Sequence, residues 1–207
     1  MYYLQVSQLS QNDLQKLDEI ISAFINKRMV SSLSTLTNDE VKFSSIKTSE
    51  LGLDEISKIV PETEFQENDV GVYITCDGDL KLGILFHLPL SNAKKLASRL
   101  LGSETNNDLS SEGRSSLAEI GNILAASFFN AINEEEGCKI MSSVPGLAID
   151  TAEALLESPI IETAVSDTFV HTVGELHCVN SQITISASIF QDPAEAKKII
   201  ALKSKQL

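Results

Sequence analysis

Three polar residues, Ser115, Glu119 and Asn122, are spaced so that one face of a helix would carry all of them. At 100° per residue they fall within an arc of about 60°. The opposite arc is apolar and consists of Leu117, Ile120, Leu124, Phe128 and Ile132. A carboxylate can pair with a cation, and an amide can both donate to and accept from a water molecule. The spacing therefore predicts a helix with a buried apolar face and a chemically capable polar face.

Apolar residues border this polar patch on the same predicted helix. Ile123 and Phe129 flank it, and Ala126 lies a turn further on. A polar patch with an apolar border is typical of a docking surface. The alternative is that the three polar residues only keep the outer face of an amphipathic helix soluble. Asn122 favours a function, because Asn inside a helix costs about 0.5 kcal/mol relative to Ala.

The charge balance limits the classes of partner. The 207 residues include 16 Lys and Arg against 29 Asp and Glu, a net charge of −13. Such a surface repels phosphate backbones and anionic lipids, so we expect neither nucleic acid nor a membrane as partner. With no signal-like segment at Met1, the sequence predicts a cytoplasmic protein. The three scattered cysteines form no CxxC pair and are expected to be reduced.

A duplication with an offset of 100 residues covers most of the chain. Leu9 and Ser10 recur as Leu109 and Ser110, and the segments 17–20 and 117–120 are alike. We therefore predict a single domain built of two repeats, at about 8–101 and 108–202. Chance similarity of two amphipathic helices is the alternative.

Each repeat has the same predicted order of elements. A long helix capped by serine precedes a β-prone stretch, a short helical piece stopped by a proline, and two strands that form a hairpin. The stretches are 41–46 and 138–144, the helical pieces 53–60 and 149–156, and the strand pairs 70–76 with 81–88 and 169–176 with 182–190. The fold class predicted is α+β: a pseudo-twofold duplication of an α/β unit, with a mostly antiparallel sheet flanked by long helices.

Other motifs are weaker. His171, His177 and Cys178 lack an acidic residue at ligand spacing, so no metal site is predicted. His87 lies in an apolar strand and is expected in the core. The sequence has no GxSxG, P-loop or GxGxxG motif, which argues against serine hydrolase, NTPase and dinucleotide-binding functions.

The spacing Ser115-x3-Glu119-x2-Asn122, set in a Glu-Ile-Gly-Asn-Ile core, resembles the signature of the CheC/CheX/FliY phosphatases of chemotaxis. The duplication and the length resemble CheC. The resemblance implies a phosphatase that hydrolyses the aspartyl phosphate of a CheY-like response regulator. The alternative is a non-catalytic module that binds a response regulator or the deamidase CheD.

The resemblance also implies roles for single residues. Asn122 would orient the attacking water, and Glu119 would dock on the regulator's lysine. Ser115 would be a minor contact beside Ile123, Ala126 and Phe129 on the partner-binding face. The resemblance further implies that the protein needs no cofactor of its own, because the regulator would hold Mg²⁺. The corresponding residues of the first repeat are Gln15, Glu19 and Ser22. Ser22 takes the place of the Asn122 amide, so that site is expected to be degenerate.

Overall fold

The computed structural model describes residues 9–44, 46–59, 68–102, 108–163 and 166–204. The helices are α1 (Gln11–Phe24), α2 (Val30–Thr37), α3 (Leu90–Leu101), α4 (Ser111–Glu136), α5 (Ala152–Thr163) and α6 (Pro193–Ser204). The strands are β1 (Val41–Phe43), β2 (Lys47–Gly52), β3 (Asp69–Gly78), β4 (Leu82–Pro89), β5 (Ile140–Ser142), β6 (Gly146–Asp150), β7 (Thr168–Cys178) and β8 (Ile183–Gln191).

The eight strands form one antiparallel sheet to which both repeats contribute. Its order is β1-β7-β8-β4-β3-β5, with β2 also paired to β7 and β6 also paired to β3. The hairpins β3–β4 and β7–β8 meet at the centre, where β4 pairs with β8. The two short strands of each repeat pair with the hairpin of the other repeat. The predicted α+β fold, with its pseudo-twofold duplication, is confirmed.

The sheet is covered on both faces. Helices α1, α2, α3, α4 and α6 cover one face of the sheet and bury the main apolar cluster there. On the opposite face, α5 and a 3₁₀ segment at Leu53–Ile59 cover a smaller cluster around Phe169 and Phe190. Because strand side chains alternate between faces, the long helices and α5 never compete for the same residues.

The first long helix is interrupted in the middle. Between α1 and α2 the chain forms a π-helical segment at Ile25–Met29, so the helical path runs from Gln11 to Thr37 with one wide turn. Ser10 caps its start, and the Ser10 hydroxyl accepts from the Asp13 backbone N–H at 3.2 Å. The periodicity of the sequence predicted the helix and its cap but gave no sign of the π segment.

The predicted short helix of the second repeat was wrong in its bounds. It was placed at 149–156, before Pro159, whereas α5 runs from Ala152 to Thr163 with Pro159 inside it. A proline inside a helix costs about 3 kcal/mol. Here the apolar side chains on either side of the proline, Leu155 and Ile160, are buried beneath the sheet, and their packing outweighs the lost hydrogen bond.

Two edge strands were not predicted. β2 pairs with β7 and β6 pairs with β3 over most of their lengths, although both were read as loop or helix. Neither β2 nor β6 is an apolar run, and much of each is at least partly exposed. An edge strand packs on few neighbours, so its sequence carries a weak pattern. In the first repeat the 3₁₀ segment confirms the predicted helical piece as far as Ile59, while Val60 lies outside the described residues.

The segment after each long helix contacts the hairpin of the other repeat. After α2, the Asp39 carboxylate accepts from the backbone N–H groups of Asn180 and Ser181, both at 2.9 Å. After α4, the Lys139 backbone N–H donates to the Asp79 carboxylate at 2.8 Å. These contacts join the ends of the long helices to the turns of the sheet, and they hold the helix layer in place.

Candidate functional site

Helix α4 is positioned by its ends and by its apolar face. The Ser110 hydroxyl accepts from the Gly113 backbone N–H at 3.1 Å, and Gly137 ends the helix in the left-handed conformation with φ 66°. The predicted core face is confirmed, since its members are all at most 5% exposed: Leu117, Ile120, Leu124, Phe128 and Ile132. The apolar face therefore holds the helix against the sheet along its length, and the opposite face points outward.

Glu119 and Asn122 lie on that outward face, three residues apart and thus adjacent on the helix surface. Glu119 is exposed and Asn122 is half-buried. Within the part of the chain that the structure describes, neither side chain has a hydrogen-bond or ion-pair partner. A free carboxylate and a free amide side by side are available to a partner. Their local structure needs neither of them.

Ser115 is exposed one turn before Glu119. Its hydroxyl donates to the Ser111 carbonyl at 3.0 Å. This bond within the helix already satisfies the hydroxyl as a donor and leaves it able to accept from a partner. The arrangement fits a minor contact at the edge of the face.

Ile123 opens onto a groove between the two long helices. The groove has a volume of about 470 Å³ and is lined by Lys27, Arg28, Ser31, Ser32, Thr35, Leu36 and Ile123. Close by, the hydroxyls of Ser32 and Ser127 lie 2.8 Å apart and hydrogen bond across the helices. Ile123 and Ala126 are both half-buried, as residues at the border of a patch should be. No feature of the sequence pointed to the groove, because its other wall comes from the first repeat.

Phe129 does not belong to this surface, and its prediction as a partner-binding residue was wrong. It is 3% exposed and belongs to the main core, where the ring centroids of Phe129 and Phe128 lie 6.0 Å apart. The helical wheel assumed one covered face. Helix α4 is covered over a wider arc, since Ala125 and Ala131 are also fully buried, and the arc reaches Phe129.

The first repeat presents the same pattern of exposure. Gln15 and Glu19 are exposed and Ser22 is half-buried, in the same order as Ser115, Glu119 and Asn122. The fold thus offers an equivalent face on α1. The chemistry differs at one position, where a hydroxyl replaces the amide.

The acidic run at the end of α4 has a structural role that the sequence did not reveal. Glu134 pairs with Arg28 of the π segment, and Glu135 pairs with Lys27 and with Lys203 of α6. The pairs with Lys27 and Lys203 hold the pKa of Glu135 below its usual value. The run therefore joins three helices, and its unfavourable position at a helix C-terminus is offset by these cations.

The histidines are structural as far as the described residues show. His87 Nδ1 lies 2.8 Å from Asp69 Oδ2. His171 stacks on Phe190, and burial lowers the pKa of His171 to about 4. Over the described ranges, no group of three or more His, Cys, Asp or Glu side chains is placed to hold a metal ion. In the same ranges, no helix is long and apolar enough to cross a membrane.

The segment that holds the candidate site matches a known family. Residues 112–149, which span nearly all of α4 together with β5 and most of β6, match the model of the CheC-like family. This part of the chain is similar to the CheC-like family. The predicted resemblance is confirmed, and the matched segment includes Ser115, Glu119 and Asn122.

Solved structures extend the CheC-like fold to almost the whole chain. FliY of Thermotoga maritima has a TM-score of 0.75 at 14% identity, over 97% of this chain and 100% of that chain. The FliM–SpeE complex of H. pylori gives 0.65 at 12%, over 96% and 97%. CheX of Desulfovibrio desulfuricans, a chemotaxis protein, gives 0.55 at 12%, over 83% and 97%. At these identities the likeness concerns the fold.

Proposed function

We propose that this protein hydrolyses the aspartyl phosphate of a CheY-like response regulator. The observation that carries the proposal is the adjacent pair of Glu119 and Asn122 on the outward face of α4, both without a partner in the described structure. The match of residues 112–149 to the CheC-like family supports it. The fold provides a rigid helix for the pair, and a rigid element is what an orienting group requires.

The chemistry asks little of the protein beyond orientation. Water attacks the phosphorus, the bond between phosphorus and the aspartyl oxygen breaks, and the products are a free aspartate and inorganic phosphate. Asn122 accepts a hydrogen bond from the water, or donates one to it, and so holds it in line with the breaking bond. Asn122 does not titrate, so no proton need be stored on this chain. The mechanism forms no covalent intermediate on this chain.

Glu119 would bind rather than react. Its exposed carboxylate stands next to Asn122 and can pair with a cationic side chain of the regulator, which we propose is the lysine beside the phosphoaspartate. This ion pair would set the register in which Asn122 meets the phosphate. Magnesium, which neutralises the phosphoryl oxygens, would be held by the regulator.

The direct test is the lifetime of a phosphorylated regulator with and without this protein. We expect catalytic amounts of the protein to shorten it, with release of inorganic phosphate. Asn122→Ala should lower turnover by about 10²-fold, the loss expected when an orienting group is removed. Asn26→Ala, at an exposed amide of the first long helix, is the matched control and should leave turnover unchanged. Normal turnover by Asn122→Ala would exclude the proposal.

A second candidate function is a non-catalytic binding module. The likeness to the FliM–SpeE complex favours it, because in that complex a protein that shares the fold of this chain binds a second protein. A module of this kind would bind a response regulator, or the deamidase CheD, without shortening the lifetime of the phosphate. The same experiment therefore separates the two functions when binding is measured alongside the phosphate lifetime.

A further inference from the structure

The residue before Asn122 makes an unusually close contact with the sheet. Gly121 of α4 lies over Val72 of β3, and a Cβ placed on Gly121 would stand 2.4 Å from Val72 Cγ1 and 2.9 Å from Val72 Cβ. Real Cβ atoms do not approach other atoms so closely. Gly121 and Val72 are both buried. Only glycine lets α4 lie this near to the strand.

Glycine in a helix interior costs about 1 kcal/mol relative to alanine, and this position has no turn or positive φ that would call for it. In the first repeat the corresponding residue is Ile21, which is 1% exposed. On the first long helix, the side chain of this buried isoleucine occupies the position at which α4 has no side chain. The first long helix therefore cannot approach its strand in the same way.

Asn122 follows Gly121 directly on α4, so the height of its amide above its surroundings depends on how closely α4 approaches the sheet. Asn122 is half-buried, whereas Glu119 on the same face is exposed, so a small shift of α4 away from the sheet changes the exposure of the amide most. The groove beyond Ile123 has Thr35 and Leu36 on its far wall, and these belong to the first long helix. The contacts that join the two helices involve α4 residues after Gly121, namely Ser127, Phe128, Glu134 and Glu135, so a shift of α4 at Gly121 changes its position relative to this wall.

We propose that Gly121 is a positioning residue, whose contact with Val72 sets the depth of Asn122 relative to the first long helix. The inference rests on the proposed phosphatase function. A docked protein typically covers about 800 Å² of its partner, so a regulator seated on Glu119 also meets the groove and the first long helix. Its phosphate is then placed by both helices, while the water is oriented by α4 alone. Lifting α4 separates the two.

The test uses Gly121→Ala, Val72→Ala and the double variant in the full chain. Gly121→Ala should lower kcat for regulator dephosphorylation at least tenfold, because misplacement of an orienting group by about 1 Å can cost 10²-fold. Its KM should stay within about threefold, because the flexible and exposed Glu119 still reaches the regulator. Val72→Ala removes the Cγ1 atom in the closest contact and is the background with which the double variant is compared. The double variant keeps a 2.9 Å approach to the Cβ of residue 72, so kcat should recover only in part, to at least about threefold above that of Gly121→Ala.

Val72→Ile provides a second route to the same displacement. Val72 is 3% exposed and cannot touch a regulator, so this variant acts on kcat only through the packing around Val72, which includes α4 at Gly121. We expect kcat to fall with little change in KM. This variant leaves the helix sequence intact, and it keeps the proposal testable should Gly121→Ala fail to fold.

Two results would overturn the positioning role. The first is a Gly121→Ala protein that folds and turns over at the wild-type rate. The second is a double variant whose Tm recovers while its kcat does not. Failure of the phosphatase proposal itself looks different: wild type and Asn122→Ala would then leave the phosphate lifetime equally unchanged, whatever residue stands at position 121.

Discussion

The two long helices begin alike and then diverge. Both start at a serine cap, Ser10 or Ser110, and both end in a left-handed residue, Asn38 or Gly137. Their outward faces have the same exposure at each of the three matched positions. Yet the first long helix contains a π segment, and α4 runs unbroken for 26 residues. The common features are those that the fold requires.

The differences concern residues that the fold does not require. The side chains of Asn122 and Glu119 make no hydrogen bond within the described residues, so the fold would allow either to be replaced. Gly121 weakens the helix that contains it. Residues that weaken the local structure without stabilising the fold are expected at functional sites. Of the two matched faces, only that of α4 has such residues, Gly121 and Asn122.

The largest expected difference between the helices is in stability, at positions 28 and 128. Phe128 is 1% exposed and packs edge-to-face on Phe24 with ring centroids 6.0 Å apart. Phe128→Ala should destabilise the protein by about 3–5 kcal/mol. Arg28→Ala removes only an exposed ion pair with Glu134 and should cost less than about 1 kcal/mol. Urea unfolding of both variants measures the difference, and equal losses would show that the helices pack symmetrically after all.

How much the sequence could predict follows from the same contrast. The helical periodicity of 117–132 identified the core face of α4, because burial imposes a pattern on every turn. The predicted hairpins, 70–76 with 81–88 and 169–176 with 182–190, are confirmed by the pairing of β3 with β4 and of β7 with β8. Local chemistry was enough for both.

The features that the sequence did not predict depend on contacts between distant segments. Phe129 is buried by elements that no helical wheel includes, and the acidic run at Glu134 and Glu135 is explained by cations more than 60 residues away. The contact of Gly121 with Val72 crosses from one repeat to the other. A glycine inside an apolar helix was the available signal, since such glycines usually have a packing or functional reason.

A second comparison concerns the links that follow the helices. Asp39 is buried, and Asp79 is exposed. Burial would raise the pKa of Asp39, but hydrogen bonds from Asn180 and Ser181 outweigh it and lower the pKa to about 2. Asp39→Asn should lower Tm by roughly 3–6 °C, whereas Asp79→Asn should change it by less than about 2 °C.

The pH dependence gives the Asp39 link a sharper signature. An ordinary aspartate has a pKa of about 3.9 when unfolded, so the contribution of Asp39 is complete above that pH and is lost as pH falls toward 2. Wild type should lose stability faster than Asp39→Asn over this window in calorimetric scans. Parallel curves for the two proteins would mean that folding does not lower the pKa of Asp39.

The two matched carboxylates compare the faces directly. Glu119→Ala should lower kcat/KM for regulator dephosphorylation about tenfold, mainly through KM, because a docking ion pair is lost. Glu19→Ala, equally exposed on α1, should leave kcat/KM within about twofold. Steady-state kinetics on one phosphorylated regulator measures both. If Glu19→Ala abolishes dephosphorylation in a folded protein, the assignment of the site to α4 alone is wrong.

The smallest expected effect is a gain on the first face. Introducing Ser22→Asn and Gln15→Ser into an Asn122→Ala protein restores the Ser-x3-Glu-x2-Asn signature around Glu19. We expect turnover only about twofold above the Asn122→Ala background, because productive geometry needs placement within about 0.5 Å. Ile21 stands where α4 has glycine, so the new amide would not have the depth of Asn122. Phosphate release by the triple and single variants measures the gain. Full recovery would show that the signature suffices on either helix, and that the close contact of α4 with β3 is not needed.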